Sequence, residues 1–281
     1  DRGDVMLKKL RVLFAVVMGV VITFYFLDFA GLTTGWPNLA RIQFVPALLA
    51  GSFGIVLILL VATLLFGRIY CSVICPLGVF QDAVSWFSGK QKKNRFRYSP
   101  ALKWLRYGVL AVFILALVAG LNTFVVLLAP YSAYGRMVSS LLAPVWQWGN
   151  NLLAYFAERA ESYAFYEVDV WMKSLSTLII AVITLIVLFV LAWRNGRTYC
   201  NTICPVGTVL GFLSRFSLFR ITIDESKCNR CGLCSRKCKA ACINGREPRI
   251  DYSRCVACMD CIETCQHGAI GFRMREKAPA G

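Results

Sequence analysis

Eight of the thirteen cysteines fall into two runs: Cys228, Cys231, Cys234 and Cys238, then Cys255, Cys258, Cys261 and Cys265. Each run reads C-x2-C-x2-C-x3-C. Thiolates at such short intervals can surround a [4Fe–4S] cluster, which takes four of them. Structural zinc usually pairs two short C-x2-C arms across a longer gap. Disulfide-stapled secreted domains lack so tight a repeated ladder. The chemistry predicted here is two [4Fe–4S] clusters.

This is the spacing of bacterial two-cluster ferredoxins, in which the fourth cysteine of each run ligates the other run's cluster. The crossed assignment gives cluster one Cys228, Cys231, Cys234 and Cys265. It gives cluster two Cys255, Cys258, Cys261 and Cys238. Lys239 and Gln266 follow the fourth cysteines, where proline is usual, which bears on tuning rather than binding. Cys242 falls outside both sets and reads as a packed residue, and His267 as a surface or near-cluster residue. Residues 220–224 read as a first strand, and Asn244-Gly245 as the turn signal of a central hairpin over 244–251. Residues 269–272 read as a last strand, giving a βαββαβ order. Basic residues crowd this region: Lys227, Arg230, Arg236, Lys237, Lys239, Arg246, Arg249 and Arg254. They suit solvation and attraction to anionic lipid, or docking of an acidic carrier such as ferredoxin or flavodoxin.

Four further cysteines lie in a second repeat. Gly67-Arg68-Ile69-Tyr70-Cys71 runs on through Cys75-Pro76-Leu77-Gly78, and Gly196-Arg197-Thr198-Tyr199-Cys200 runs on through Cys204-Pro205-Val206-Gly207. Gly, Arg, Tyr, both Cys, Pro and the last Gly match at one constant offset, which chance does not readily supply. Proline is tolerated in a helix's first turn and disfavoured inside it. The chain is therefore expected to break near Cys75 and Cys204 and restart as a short helix, forming an elbow. Arg68 and Arg197 read as residues at the water boundary, meeting lipid phosphates or offsetting thiolate charge. Gly78 and Gly207 read as sites of close helix approach. Three chemistries stay open for Cys71, Cys75, Cys200 and Cys204. They are a third iron–sulfur cluster, redox-active thiol pairs, and buried structural thiols.

The elements that must position these residues are apolar. The 281-residue chain is 58% hydrophobic and 16% charged, which places it among integral membrane proteins with a soluble tail. Spans are expected near 12–31, 45–66, 107–129 and 175–193. Asp28 reads as an interfacial acid near the outer end of the first. Met6-Leu7-Lys8-Lys9 reads as a natural start, and the first apolar run as a retained span rather than a signal peptide. The N-terminus, the 67–106 loop and the tail are basic, whereas the 32–44 and 130–174 loops are not. By the positive-inside rule both termini and the tail are cytoplasmic. The aromatic segment 130–174 reads as helices lying on the outer membrane surface, with Arg136 as an outer contact. The net charge of +16 is accounted for by membrane-flanking loops, so nucleic-acid binding is not expected. A lone histidine argues against bis-histidine haem within this chain.

Two C-x3-C-P motifs plus the eight tail cysteines resemble the membrane-bound polyferredoxin family, over roughly 8–273. That family includes the membrane ferredoxin subunit of periplasmic nitrate reductase systems. It also includes the membrane part of the nitrous-oxide-reductase regulatory flavoprotein and the cytochrome oxidase assembly polyferredoxin. The resemblance implies electron transfer to or from quinone or an extracytoplasmic redox partner, within a complex in a bacterial or archaeal cytoplasmic membrane. The alternative class is a metal-ion or thiol reductase serving assembly of another metalloenzyme. The expected architecture is an α-helical membrane protein of four transmembrane helices in a parallel two-fold repeat, with an α+β two-cluster ferredoxin domain. Its bounds are 1–217 for the membrane part, 218–273 for the ferredoxin part and 274–281 for the tail end.

Overall fold

The computed structural model describes residues 2–27, 40–91, 96–159, 167, 168, 170 and 174–275. Outside them lie Asp28, the 32–39 part of the first loop, Lys92, Lys93 and Arg95. Tyr163, Phe165, Tyr166, Trp171, Lys173 and residues 276–281 lie outside as well.

Among the described residues, two helices are long and apolar enough to cross a membrane. One is the Gly3–Leu27 part of α1 (Arg2–Leu27), and the other is Leu175–Asn195. Apolar side chains stand exposed along both, among them Leu13, Phe14, Ile183 and Ile186, as suits a helix whose solvent is lipid. The expected second span, 45–66, is broken. Helix α2 (Phe44–Leu49) ends at a turn with Gly51 at φ 68°, and α3 (Phe53–Phe66) starts afresh. Its 14 residues rise about 21 Å, short of a core about 30 Å thick. Then come α4 (Ile69–Val73) and α5 (Pro76–Gln91). The expected third span is likewise split into α6 (Lys103–Val118) and α7 (Asn122–Leu128), with Gly120 at φ 70° between them.

Helix α7 bends by 78° into the segment from Pro130 to Arg159. That segment comprises α8 (Pro130–Met137), a π turn over Val138–Leu142, and α9 (Ala143–Arg159). Taken together, the bent pair would make a third span. Helix α8, expected at the outer membrane surface, packs one face into the protein, with Tyr131, Ala133, Gly135 and Met137 buried. Small residues let α1 approach: Phe26 packs on Tyr131 with ring centroids 5.0 Å apart, and a Cβ at Gly135 would collide with the Phe26 ring. Arg136, expected as an outer contact, bonds to the end of α7. Its guanidinium donates to the carbonyls of Val126 and Leu127 at 2.9 and 3.0 Å, satisfying the end of α7.

Helix α10 (Leu175–Asn195) leads to α11 (Thr198–Thr202) and α12 (Pro205–Leu213). The tail follows as β1 (Phe219–Ile223), α13 (Leu233–Lys237), β2 (Ile243–Asn244), β3 (Arg249–Ile250), α14 (Asp260–Thr264) and β4 (Ile270–Met274). Strand β1 pairs antiparallel with β4, from Phe219 opposite Met274 to Ile223 opposite Ile270. Strands β2 and β3 form the central hairpin. The expected strand order is present. The backbone N–H of Leu218 donates to the Leu64 carbonyl of α3 at 2.8 Å, fixing the start of the tail beside the elbow.

Candidate iron–sulfur centres

Each tail run is wound by left-handed residues at matching places. Arg230 and Gly232 have φ 55° and 72° in the first run, and Ala257 and Met259 have φ 50° and 61° in the second. Non-glycine residues adopt this conformation at a cost of about 1–2 kcal/mol, and such strain concentrates at functional sites. Here it curls each loop around a cavity. One cavity is lined by Cys228, Cys231, Cys234 and Cys265, with His267 and Asn229 on its wall. His267 Nε2 lies 2.7 Å from Asn229 Nδ2. The other cavity is lined by Cys238, Cys255, Cys258 and Cys261, and also by Cys242. The Cys242 Sγ stands 3.4 Å from that of Cys238, so this thiol faces the cavity. Among the described residues no three His, Cys, Asp or Glu side chains converge on one metal ion. The donor set fits [4Fe–4S] clusters.

The cavities differ in setting. Cys231 is exposed, and Cys228, Cys234 and Cys265 are half-buried. Cys238, Cys258 and Cys261 are buried, and the Lys239 and Ala240 carbonyls just after Cys238 are bonded to elbow two. Of the eight basic residues near the runs, Lys227, Arg230, Arg236, Lys237, Arg246 and Arg249 are exposed. Lys239 turns inward to Asp82 and Asp260, and Arg254 is buried against Asp251.

The elbows are built alike. Helices α3 and α10 end at Gly67 and Gly196, with φ 72° and 68°, which reverses the chain. Helices α5 and α12 restart at Pro76 and Pro205, as the motif predicts. Cys71, Cys75, Cys200 and Cys204 are each only 3–4% exposed, and the four thiols lie within electrostatic reach of one another. Gln81 Nε2 donates to Cys200 Sγ at 3.3 Å, and the Gly207 N–H to Cys204 Sγ at 3.4 Å.

Arg68 and Arg197 are fully buried, not at the water boundary. Each crosses to the other elbow. Arg68 donates to Asn201 Oδ1 at 2.7 Å and to the Cys200 carbonyl at 3.1 Å, and its Nη2 is 3.9 Å from Cys71 Sγ. Arg197 donates to the Cys71 carbonyl at 2.6 Å and to Asp82 Oδ1 at 2.8 Å. Two glycines make room. A Cβ on Gly78 would collide with the Cys71 carbonyl and the Arg197 guanidinium, and one on Gly207 with the Cys200 carbonyl and Arg68. The close approach expected at these glycines is thus made by the backbone of the preceding short helix and, in addition, by the opposite arginine.

The sequence reading did not pick out Asp82 and Arg11 as site residues. Asp82 gathers Arg197, Arg11 and Lys239 at 2.7, 3.3 and 3.2 Å. The available signal was that Asp82 is the lone acid in the basic 67–106 loop. Arg106, also missed, is 3% exposed and donates to the Ser253 carbonyl and hydroxyl at 2.8 and 3.1 Å. The tail is docked on the elbows by further bonds. The Arg197 N–H donates to the Lys239 carbonyl at 2.8 Å, and Asn201 Nδ2 to the Ala240 carbonyl at 3.2 Å.

Cysteine-lined cavities joined to long apolar helices mark a membrane-associated protein of the iron–sulfur class. A family model described as a 4Fe-4S binding domain matches residues 48–94 and again 176–223. A second model with the same description matches 248–271. An uncharacterized protein of Methanocaldococcus jannaschii is 38% identical over 93 residues, 33% of this chain and 37% of that one. Ferredoxin-type protein NapH of Haemophilus influenzae is 26% identical over 79% of this chain and 68% of its own. Methylamine utilization ferredoxin-type protein MauN of Paracoccus denitrificans is 28% identical over 73% of this chain and 56% of its own. The chain thus spans between about a third and two thirds of the length of these curated relatives. No solved structure matches. The chain is thus similar to ferredoxin-type membrane proteins of the polyferredoxin kind over most of its length.

Proposed function

We propose that this chain is the electron-carrying link between a cytoplasmic carrier and the membrane, with three iron–sulfur sites. Cys228, Cys231, Cys234 and Cys265 would hold one tail cluster, and Cys255, Cys258, Cys261 and Cys238 the other. Cys71, Cys75, Cys200 and Cys204 would hold a third between the elbows. When bound, such clusters supply one-electron chemistry. The observation that carries this reading is that the backbone beside Cys238 is bonded to elbow two, whose thiols lie within electrostatic reach of those of elbow one. The two segments matched by the first family model contain two cysteines each, so a four-thiolate site needs both.

The described residues account for each end. Around the exposed Cys231, the outward-facing Lys227, Arg230, Arg236 and Arg246 suit an acidic ferredoxin- or flavodoxin-type carrier. A groove of about 710 Å³ between α1, α5 and α14 has Lys239 and Asp260 at one side. Val12, Val16 and Trp86 line another side. Its amphipathic walls suit a quinone; an extracytoplasmic redox partner in a complex is the other acceptor or donor. The topology proposed is four crossings as two parallel halves, with both termini and the tail cytoplasmic. Residues 1–217 are the membrane unit and 218–273 the ferredoxin unit. The metal-ion or thiol reductase reading is disfavoured by the burial of all four elbow thiols, which blocks exchange.

Iron counting tests the reading. Anaerobically purified protein is expected to hold about eight iron atoms from the tail and roughly two to four more from the elbows. Serine at all four elbow positions is expected to remove only the latter. Unchanged iron and paramagnetic resonance signals in that variant would sink the elbow site.

A further inference from the structure

The loop that delivers Cys255 is fastened to the membrane part by two buried guanidinium groups. Asp251 shapes the loop, accepting from the Ser253 N–H at 3.0 Å and its hydroxyl at 2.6 Å. The Cys255 N–H donates to the Asp251 carbonyl at 3.1 Å. The Ser253 carbonyl then receives Arg106 Nη2 at 2.8 Å and Arg68 Nη1 at 3.3 Å. The far side of Arg68 meets the Cys200 carbonyl and the Cys71 thiol. A single guanidinium therefore joins the elbow cysteines to the tail loop, and its charge acts on both Cys200 and Cys255.

These two arginines differ in compensation from their neighbours. Arg11 and Arg197 share Asp82, whereas neither Arg68 nor Arg106 forms an ion pair among the described residues. A buried cation without a paired counter-ion is strongly unfavourable; the Asp251 carboxylate acts on Arg106 without pairing with it, and Arg68 has the Cys71 sulfur at 3.9 Å. The cavity around Cys231 has a different supply of charge. Its lysines and arginines stand in water, where solvent and salt screen them.

We propose that Arg68 and Arg106 are positioning residues that seat the Ser253–Cys255 loop and hold the Cys255-side cluster at a more positive potential than the Cys228-side cluster. The inference rests on the tail cluster assignments above and is independent of the elbow cluster. Charge near a cluster raises its potential, because reduction adds negative charge.

The test is a redox titration of the full-length protein in detergent, followed by paramagnetic resonance, with iron counted in the same samples. Cys231→Ser assigns the Cys228-side signal. Arg68→Gln and Arg106→Gln are expected to move the other tail signal to more negative potential and leave the assigned one in place. Arg68→Lys and Arg106→Lys are expected to restore most of the shift, since charge remains. Equal movement of both signals, or movement of neither at unchanged iron, would overturn the proposal. If a glutamine variant loses tail iron, its lysine counterpart decides. A wild-type gap between the two potentials supports the proposal, and a collapsed gap with iron retained refutes it. Tail signals absent from the unmodified protein would sink the cluster reading and this inference with it. Elbow iron absent, with the selective shift present, would sink only the third cluster.

Discussion

Elbow one, Gly67 to Gly78, and elbow two, Gly196 to Gly207, share a left-handed glycine, a buried arginine, two cysteines, a proline restart and a glycine beneath the opposite arginine. They part company just beyond. The position equivalent to Asp82 is Gly211, where a side chain would collide with Arg106 and the Ser253 carbonyl. The position equivalent to Gln81 is Leu210, fully buried and apolar. The shared frame places four thiols; the unshared residues decide what else reaches them. Elbow one uses a carboxylate to collect three cations, one of them Lys239 of the tail. Elbow two leaves a gap that Arg106 crosses to grasp the tail loop.

The largest expected effect breaks this contrast from the elbow-one side. Asp82→Ala leaves Arg11, Arg197 and Lys239 without their shared carboxylate. Removing one partner of a buried ionic group costs about 3–5 kcal/mol. A large fall in thermal unfolding temperature, with the tail released to protease, is expected; wild-type stability would show that the carboxylate is not the organising group. Next come Gly78→Ala and Gly207→Ala. Each added methyl meets a carbonyl and a guanidinium, and overpacking of this kind costs about 1–3 kcal/mol. The two losses are expected to match within error. A tolerated change at one glycine only would break the equivalence of the elbows.

How much of this could be read from the sequence depends on the kind of signal. The cysteine spacing announced two tail sites, and Pro76 and Pro205 announced the helix restarts, because those residue types limit local geometry directly. The strand order of the tail was legible from Asn244-Gly245 and its flanking apolar runs. The break in the second span was not, because hydropathy is blind to a reversal inside an uninterrupted apolar run. Gly51 and Gly120 stand at the two breaks, and an isolated glycine is a weak mark. Burial of Arg68 and Arg197 was also hidden. An arginine at the end of a span ordinarily reaches water or phosphate. Here its partners are main-chain carbonyls far away in sequence, and no pattern of residue types encodes those. The inward face of α8 escaped for a related reason: its aromatics suit an interface as well as they suit packing against Phe26.

A smaller change sharpens the contrast. Gln81→Leu gives elbow one the residue type of elbow two and removes an amide donor from Cys200 Sγ. One such bond contributes about 1 kcal/mol, and Gln81 Oε1 is unpartnered, so stability is expected to change by no more than that. Hydrogen bonds to cluster sulfur influence potential, so the elbow signal is expected to move to more negative potential while the tail signals stay. A destabilisation as large as that of Asp82→Ala would show that Gln81 supports the fold instead.

The smallest expected effect is that of pH. Burial pushes the Asp82 carboxyl up, but Arg197, Lys239 and Arg11 together pull it well below the ordinary carboxylate range. Its folded value is thus depressed relative to an unfolded value of about 3.9. The stability it contributes is fully present above that unfolded value and is lost as pH falls through the folded one. From about pH 5 to pH 8 the carboxylate is charged in both states, so its share of tail docking is constant. Protease release of the tail from wild-type protein is expected to be flat across that window. Asp82→Asn should raise the level of release throughout the window without adding a slope. A slope in the wild type that Asp82→Asn abolishes would mean that the carboxylate titrates near neutrality, and that its three cations do not hold it as the distances imply.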